Sequence, residues 1–186
     1  MEVEIGNAIV ELIEGDITRQ SADAIVNAAN SALIGGGGVD GAIHAAAGPE
    51  LMDELAPFRA QGGCPTGSAV PTSAGRLPAR FVFHAVGPIY GRGGPDVAAD
   101  LASCYRTCLH LAAERNLSSI SFPSISTGAY GYPLREAADV ATDTVCTFLV
   151  EHAGTSLRRV FFVLWGDRAF AAYAEALAAW KAEQVE

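Results

Sequence analysis

The alternation of short, nearly continuous apolar runs with helical patterns constrains the fold of this chain most. Apolar runs at Ala8–Ile13, Ala24–Ala28, Phe81–Val86, Ile120–Phe122 and Val160–Trp165 have the length and continuity of strands covered on both faces, and Ser68–Ser73 is a weaker strand candidate. Between them, apolar residues recur at helical spacing: Leu101, Tyr105, Cys108 and Ala112 within 97–115, Leu134, Ala138, Ala141, Val145 and Phe148 after Pro133, and Phe170, Tyr173, Leu177 and Trp180 in the last segment. Asp53 also falls in a helical stretch, whereas 57–67 reads as a loop too short to be a linker. Strand and helix in alternation imply a three-layer α/β/α sandwich around a mixed, mostly parallel sheet. A chain of 186 residues fits one domain spanning 1–186, burying about 70% of its unfolded surface.

In such a fold, ligands bind outside the carboxyl ends of the strands. Two glycine-rich loops fall there: Gly35–Gly38 after the run Ala24–Ala28, and Ser124–Gly131 after Ile120–Phe122. Glycines let backbone amides approach a ligand closely, so the pair reads as an anion cradle suited to a diphosphate. The net charge of −9, from 12 Lys and Arg against 21 Asp and Glu, argues against extended nucleic-acid binding and leaves backbone amides to hold any phosphate. The four cysteines lack zinc-site or disulfide spacing and read as buried free thiols. An acidic amino-terminal stretch and the lack of any apolar run near the ~18 residues of a membrane span suggest a reduced, cytoplasmic protein with no membrane contact.

Residue by residue, the candidates carry two readings. Asp16, after Glu14–Gly15, is taken alone a cap or Asx turn. Asn27 and Asn30 can hydrogen-bond ribose hydroxyls or tie down the loop that follows. Gly35–Gly38 runs directly into Val39–Asp40–Gly41–Ala42–Ile43, which starts a helix, and a helix amino terminus favours phosphate. Gly36-x-Gly38-x-x-Gly41 also fits a dinucleotide fingerprint and hence an NAD oxidoreductase, but Asn30–Ile34 separate it from the strand and no acidic residue ends a second strand about 20 residues on. In the second loop, Ser126, Thr127, Gly128, Ala129 and Tyr130 can present successive N–H groups beside an aromatic wall, while a turn before the Pro133 helix explains the glycines equally well. Trp165 at a strand end is usually core packing, though here it could stack on a purine. His44 and His84 read as structural histidines without carboxylate partners, His110 and His152 as surface residues.

Six segments together resemble the macrodomain family, specifically its MacroD-type ADP-ribosyl hydrolases: GDIT at 15–18, DAIVNAANS at 23–31, GGGGVDGAIHAAAGP at 35–49, GCPTGSA at 63–69, HAVGP at 84–88 and FPSISTGAYGYP at 122–133. The resemblance implies that Asp16 accepts from the adenine amine, that the Ile17 main chain touches the base, and that Trp165 stacks where the family has an aromatic, here larger than the expected phenylalanine. It implies that amides of Gly35, Gly36, Gly37, Gly38 and Val39 and of Ser126 to Tyr130 hold the diphosphate. Asn27 is counted with the binding residues, while Asn30 and Asp40 face the distal ribose as the catalytic pair. The implied activity is removal of single ADP-ribose groups from aspartate or glutamate esters and deacetylation of O-acetyl-ADP-ribose, by a monomer, with no metal and no cofactor. The alternative is a reader module that binds ADP-ribose and leaves it intact.

Overall fold

Seven strands form one sheet in the order β1-β2-β7-β6-β3-β5-β4 in the computed structural model, which describes residues 1–92 and 96–184. The strands are β1 (Glu2–Ile5), β2 (Ala8–Glu14), β3 (Ala24–Ala29), β4 (Ala69–Ser73), β5 (Phe81–Val86), β6 (Ser119–Phe122) and β7 (Arg159–Leu164). The five in the middle are parallel, and the edge strands β1 and β4 run antiparallel to β2 and β5. The helices are α1 (Gly38–Ala47), α2 (Glu50–Ala60), α3 (Val97–Glu114), α4 (Leu134–Glu151) and α5 (Asp167–Glu183).

Alternate residues of each central strand serve opposite layers, the physical consequence of a period of two. Val26, Phe83, Ile120 and Phe162 pack with α3, α4 and α5 around Tyr105, Val145 and Tyr173. Ile25, Val82, Phe161 and Val163 pack on the other face with Ile43, Ala47 and Leu51 of α1 and α2. The expected three-layer sandwich with a mixed, mostly parallel sheet is what the chain forms. Cys64, Cys104, Cys108 and Cys146 are free and buried.

Two elements depart from the sequence expectation. β1 escaped it, although Glu2-Val3-Glu4-Ile5 alternates and Gly6–Asn7 is a two-residue hairpin turn, with Gly6 at φ +58° and Ile5 opposite Ala8. The stretch 57–67 is not all loop: α2 continues through Pro57 to Ala60. Pro57 forfeits one helical N–H, but Arg59 anchors the last turn by donating to Met52 O (2.9 Å) and Leu33 O (3.2 Å).

Candidate functional site

The carboxyl ends of four adjacent parallel strands, β2, β7, β6 and β3, open onto a cleft of about 800 Å³. Its walls are the segment after β2, Trp165 after β7, the loop after β6, and the loop after β3 with the start of α1. Asp16 and Asp40 are the only charged side chains among the described residues that line it; no Lys or Arg does.

At one end, Asp16 caps the 3-10 turn Ile17–Arg19, its Oδ1 accepting from the Thr18 amide (2.9 Å) and hydroxyl (2.7 Å). The Thr18 hydroxyl bond, followed by the amide bond, holds the Asp16 carboxyl below the usual range. The cap reading and the cleft position therefore hold together in one residue. Trp165 corrects the core-packing reading: Leu164 is the last buried residue of β7, and Trp165, 82% exposed, stands in the cleft wall instead.

The loop after β3 is closed by Asn30, whose Nδ2 donates to Gly35 O (2.8 Å) while its Oδ1 accepts from Ile34 N (3.2 Å). Leu33, buried at φ +56°, plugs this loop into the core beneath it. Gly38 takes φ +58° to begin α1, and at Gly41 a methyl group would lie 2.7 Å from Gly36 O, so the first turn and the loop can touch only through glycine. Gly36, Gly37, Gly38 and Val39 line the cleft; Gly35 lies outside the lining. Among the described residues, the amides of Gly36 to Asp40 have no acceptor in the protein, as expected for the first turn of a helix.

The loop after β6 carries a second such row: the amides of Ser126 to Tyr130 lack acceptors among the described residues, and all five residues line the cleft. Ser126 sits at φ +67°, locked by Tyr132 N donating to its carbonyl (2.9 Å). Under the loop runs a chain of hydroxyls: Tyr173 donates to Ser124 Oγ (3.0 Å), which also accepts from Thr127 Oγ1 (2.9 Å), and Tyr105 stands 3.3 Å from Tyr173. At Gly87 a methyl group would meet Ser126 Oγ at 2.2 Å, so β5 must be followed by glycine for the loop to lie where it does.

Asp40, in the first turn of α1, is 5% exposed. Its Oδ1 accepts from Asn27 Nδ2 at 2.6 Å and lies 3.3 Å from Nε2 of His44, one helical turn on. Its Oδ2 has no donor among the described residues and faces the glycine loop: a methyl on Gly36 would lie 3.3 Å from it and 3.9 Å from Asn30 Nδ2. Asn30 and Asp40 thus converge on Gly36 at the cleft. Asn27 does not join them. It is fully buried on β3 beside its β5 partner His84, whose Nδ1 is 3.1 Å from Asn27 Nδ2, so its side chain holds Asp40 rather than facing the cleft. Burial, then the neighbouring His44, pushes the His84 imidazole down to about 3. His84 is the satisfied structural histidine expected; His44 does have a carboxylate partner, and the i, i+4 spacing from Asp40 was the signal for it. His110 and His152 lie at the surface.

A family model described as Macro domain matches residues 26–141. The chain is 54% identical over 168 residues to a macro domain-containing protein of Caldanaerobacter subterraneus, covering 90% of this chain and 94% of the relative. It is 50% identical over 169 residues to an O-acetyl-ADP-ribose deacetylase of Salmonella gallinarum, covering 90% and 93%. The solved macrodomain of Oceanobacillus iheyensis with ADP superposes with a TM-score of 0.94 at 45% identity, covering 98% of this chain and 97% of that one.

Proposed function

The chain belongs to the Macro domain family, and we propose that it forms one macrodomain that binds ADP-ribose and hydrolyses ADP-ribosyl esters. The convergence of Asp40 Oδ2 and Asn30 on the glycine loop carries the reading. Adenine stacks on Trp165 with its amine toward Asp16, the diphosphate lies along the amides of Gly36–Val39 and Ser126–Tyr130, and the distal ribose comes to Asn30 and Asp40. A cleft whose only charged groups among the described residues are carboxylates supports an amide-held diphosphate. The deacetylase name of the Salmonella gallinarum relative supports ester chemistry.

Two substrates share this chemistry. In O-acetyl-ADP-ribose, water cleaves the acyl ester to acetate and ADP-ribose. In a protein ADP-ribosylated on aspartate or glutamate, water takes the anomeric carbon and the side-chain carboxylate leaves. Either way the barrier lies in placing the water and bearing the charge that develops. Asp40 orients the ribose and accepts the water's proton on Oδ2, the oxygen that Asn27 and His44 leave free, while Asn30 keeps the loop and the ribose hydroxyls in register. Losing such a base costs about a hundredfold or more in rate.

The experiment is release of free ADP-ribose from a protein mono-ADP-ribosylated on glutamate, and of acetate from O-acetyl-ADP-ribose, by wild type and Asp40→Ala. Turnover that the folded variant loses supports the hydrolase. Wild-type protein that binds ADP-ribose and releases nothing from either substrate overturns it and leaves a reader.

A further inference from the structure

Beneath Asp40 a line of side chains crosses from the sheet edge to the cleft, and its hydrogen bonds have one permitted direction. The carboxylate oxygen Asp40 Oδ1, 2.6 Å from Asn27, can only accept, so Asn27 faces it with its NH₂, and the same nitrogen meets His84 Nδ1 at 3.1 Å as a donor. Thr72 on β4, whose hydroxyl proton has Ser73 O at 2.8 Å to go to, then accepts from His84 Nε2, 2.9 Å away. That places the ring proton of His84 on Nε2 and leaves Nδ1 a bare lone pair. One proton of the Asn27 amide thus goes to Nδ1 and the other to Asp40 Oδ1. The opposite amide orientation would set Asn27 Oδ1 against both a lone pair and a carboxylate. Every member of the line is buried: Thr72 is 3% exposed, and Asn27 and His84 are fully enclosed.

We propose that His84, itself oriented by Thr72, is a positioning residue for Asp40: by accepting one N–H of Asn27 it aims the other at Oδ1 and turns Oδ2 toward the glycine loop. The proposal rests on the hydrolase reading only for its catalytic consequence; the orientation of Asn27 follows from the hydrogen bonds alone. Asn27 Oδ1 has no partner among the described residues, so the amide is held entirely through its nitrogen. Removing the acceptor at Nδ1 leaves a buried N–H without a partner, and the side chain swings to find one at Asp40's expense. A shift of about 1 Å in a catalytic group is enough for roughly a hundredfold in rate.

The test uses three substitutions. His84→Phe keeps a ring and removes both nitrogens. His84→Asn shrinks the side chain but puts an oxygen near the place of Nδ1, and His84→Gln conserves volume better yet puts its amide near the place of Nε2. With O-acetyl-ADP-ribose, His84→Phe and His84→Gln are expected to lower kcat by about tenfold to a hundredfold, while KM and the Kd for ADP-ribose stay within about twofold. His84→Asn restores most of kcat. Amide NMR supplies the independent readout: the Asn27 side-chain NH₂ exchanges slowly with water in wild type and His84→Asn, and quickly in the other two. A packing role predicts the reverse ranking, with Gln better than Asn, and that ranking, or unaltered kcat in a folded His84→Phe, overturns the proposal. Should wild type itself fail to turn over, the hydrolase reading falls, and equal Asn27 exchange in wild type and His84→Phe would separately overturn the orientation.

Discussion

His84 carries a quantitative consequence for stability. Burial and the neighbouring His44 take its imidazole from an ordinary 6.5 down to about 3 in the folded chain. A depressed folded value means that the unfolded state binds the proton first, so the stability is fully present above the unfolded pKa and drains away as pH falls toward the folded one. At about pH 5 the unfolded side chain is almost fully protonated and the folded one almost bare, a difference worth about 2 kcal/mol from the titration integral. The result hardly changes if the folded value is a unit higher, because pH 5 still lies above it. Urea unfolding of wild type and His84→Asn at about pH 7.5 and about pH 5 isolates this contribution, since each protein is compared with itself and groups common to both cancel. Wild type is expected to lose about 2 kcal/mol more than the variant over that interval, or roughly 4–8 °C in Tm for a chain of this length. Parallel losses in the two proteins would refute the claim that the fold holds His84 neutral by enclosure.

Two further outcomes follow from the cleft walls. Trp165→Ala removes a ring that is 82% exposed, so Tm should stay put while ADP-ribose affinity, by calorimetry, falls by the roughly 1–3 kcal/mol of a base stack; an unchanged Kd would remove Trp165 from the adenine end. Gly87→Ala drives a methyl against Ser126 Oγ and Ile125 Cγ2, at 2.2 and 2.6 Å, and should cost about 1–3 kcal/mol of stability together with ADP-ribose affinity; a variant with wild-type Tm and Kd would show that the loop after β6 yields freely.

The central strands and both glycine loops were legible in the sequence because burial on two faces demands continuous apolar runs, and because loops at strand ends advertise themselves by glycine. The resemblance carried the residues of the cleft. What escaped was whatever depends on which strand lies beside which. Asn27 is an amide in a run of apolar residues, and nothing local to it says that β5 will be its neighbour or that His84 will stand directly opposite. Trp165 follows five buried residues of β7, and the apolar run itself does not say where that burial stops, which left core packing and a place at the cleft both open. Pro57 signalled a helix end, but a guanidinium two residues later, reaching back about two turns to Met52 and across to Leu33, outweighed one missing N–H. β1 and the Asp40–His44 pair, by contrast, had local signals in the Gly6–Asn7 turn and the i, i+4 spacing.

Two rows of main-chain donors without acceptors among the described residues, at Gly36–Asp40 and Ser126–Tyr130, bear on how this cleft can change over generations. A main-chain N–H belongs to every amino acid but proline, so most single substitutions leave the donor in place and can harm it only by moving the loop or crowding the space in front of it. Side chains around the distal end are free of that protection and free to vary. On the proposed reading, mutational drift would retune which group is cut from the ligand, or abolish the cutting altogether, while the grip on an anion would persist as a heritable default of the backbone.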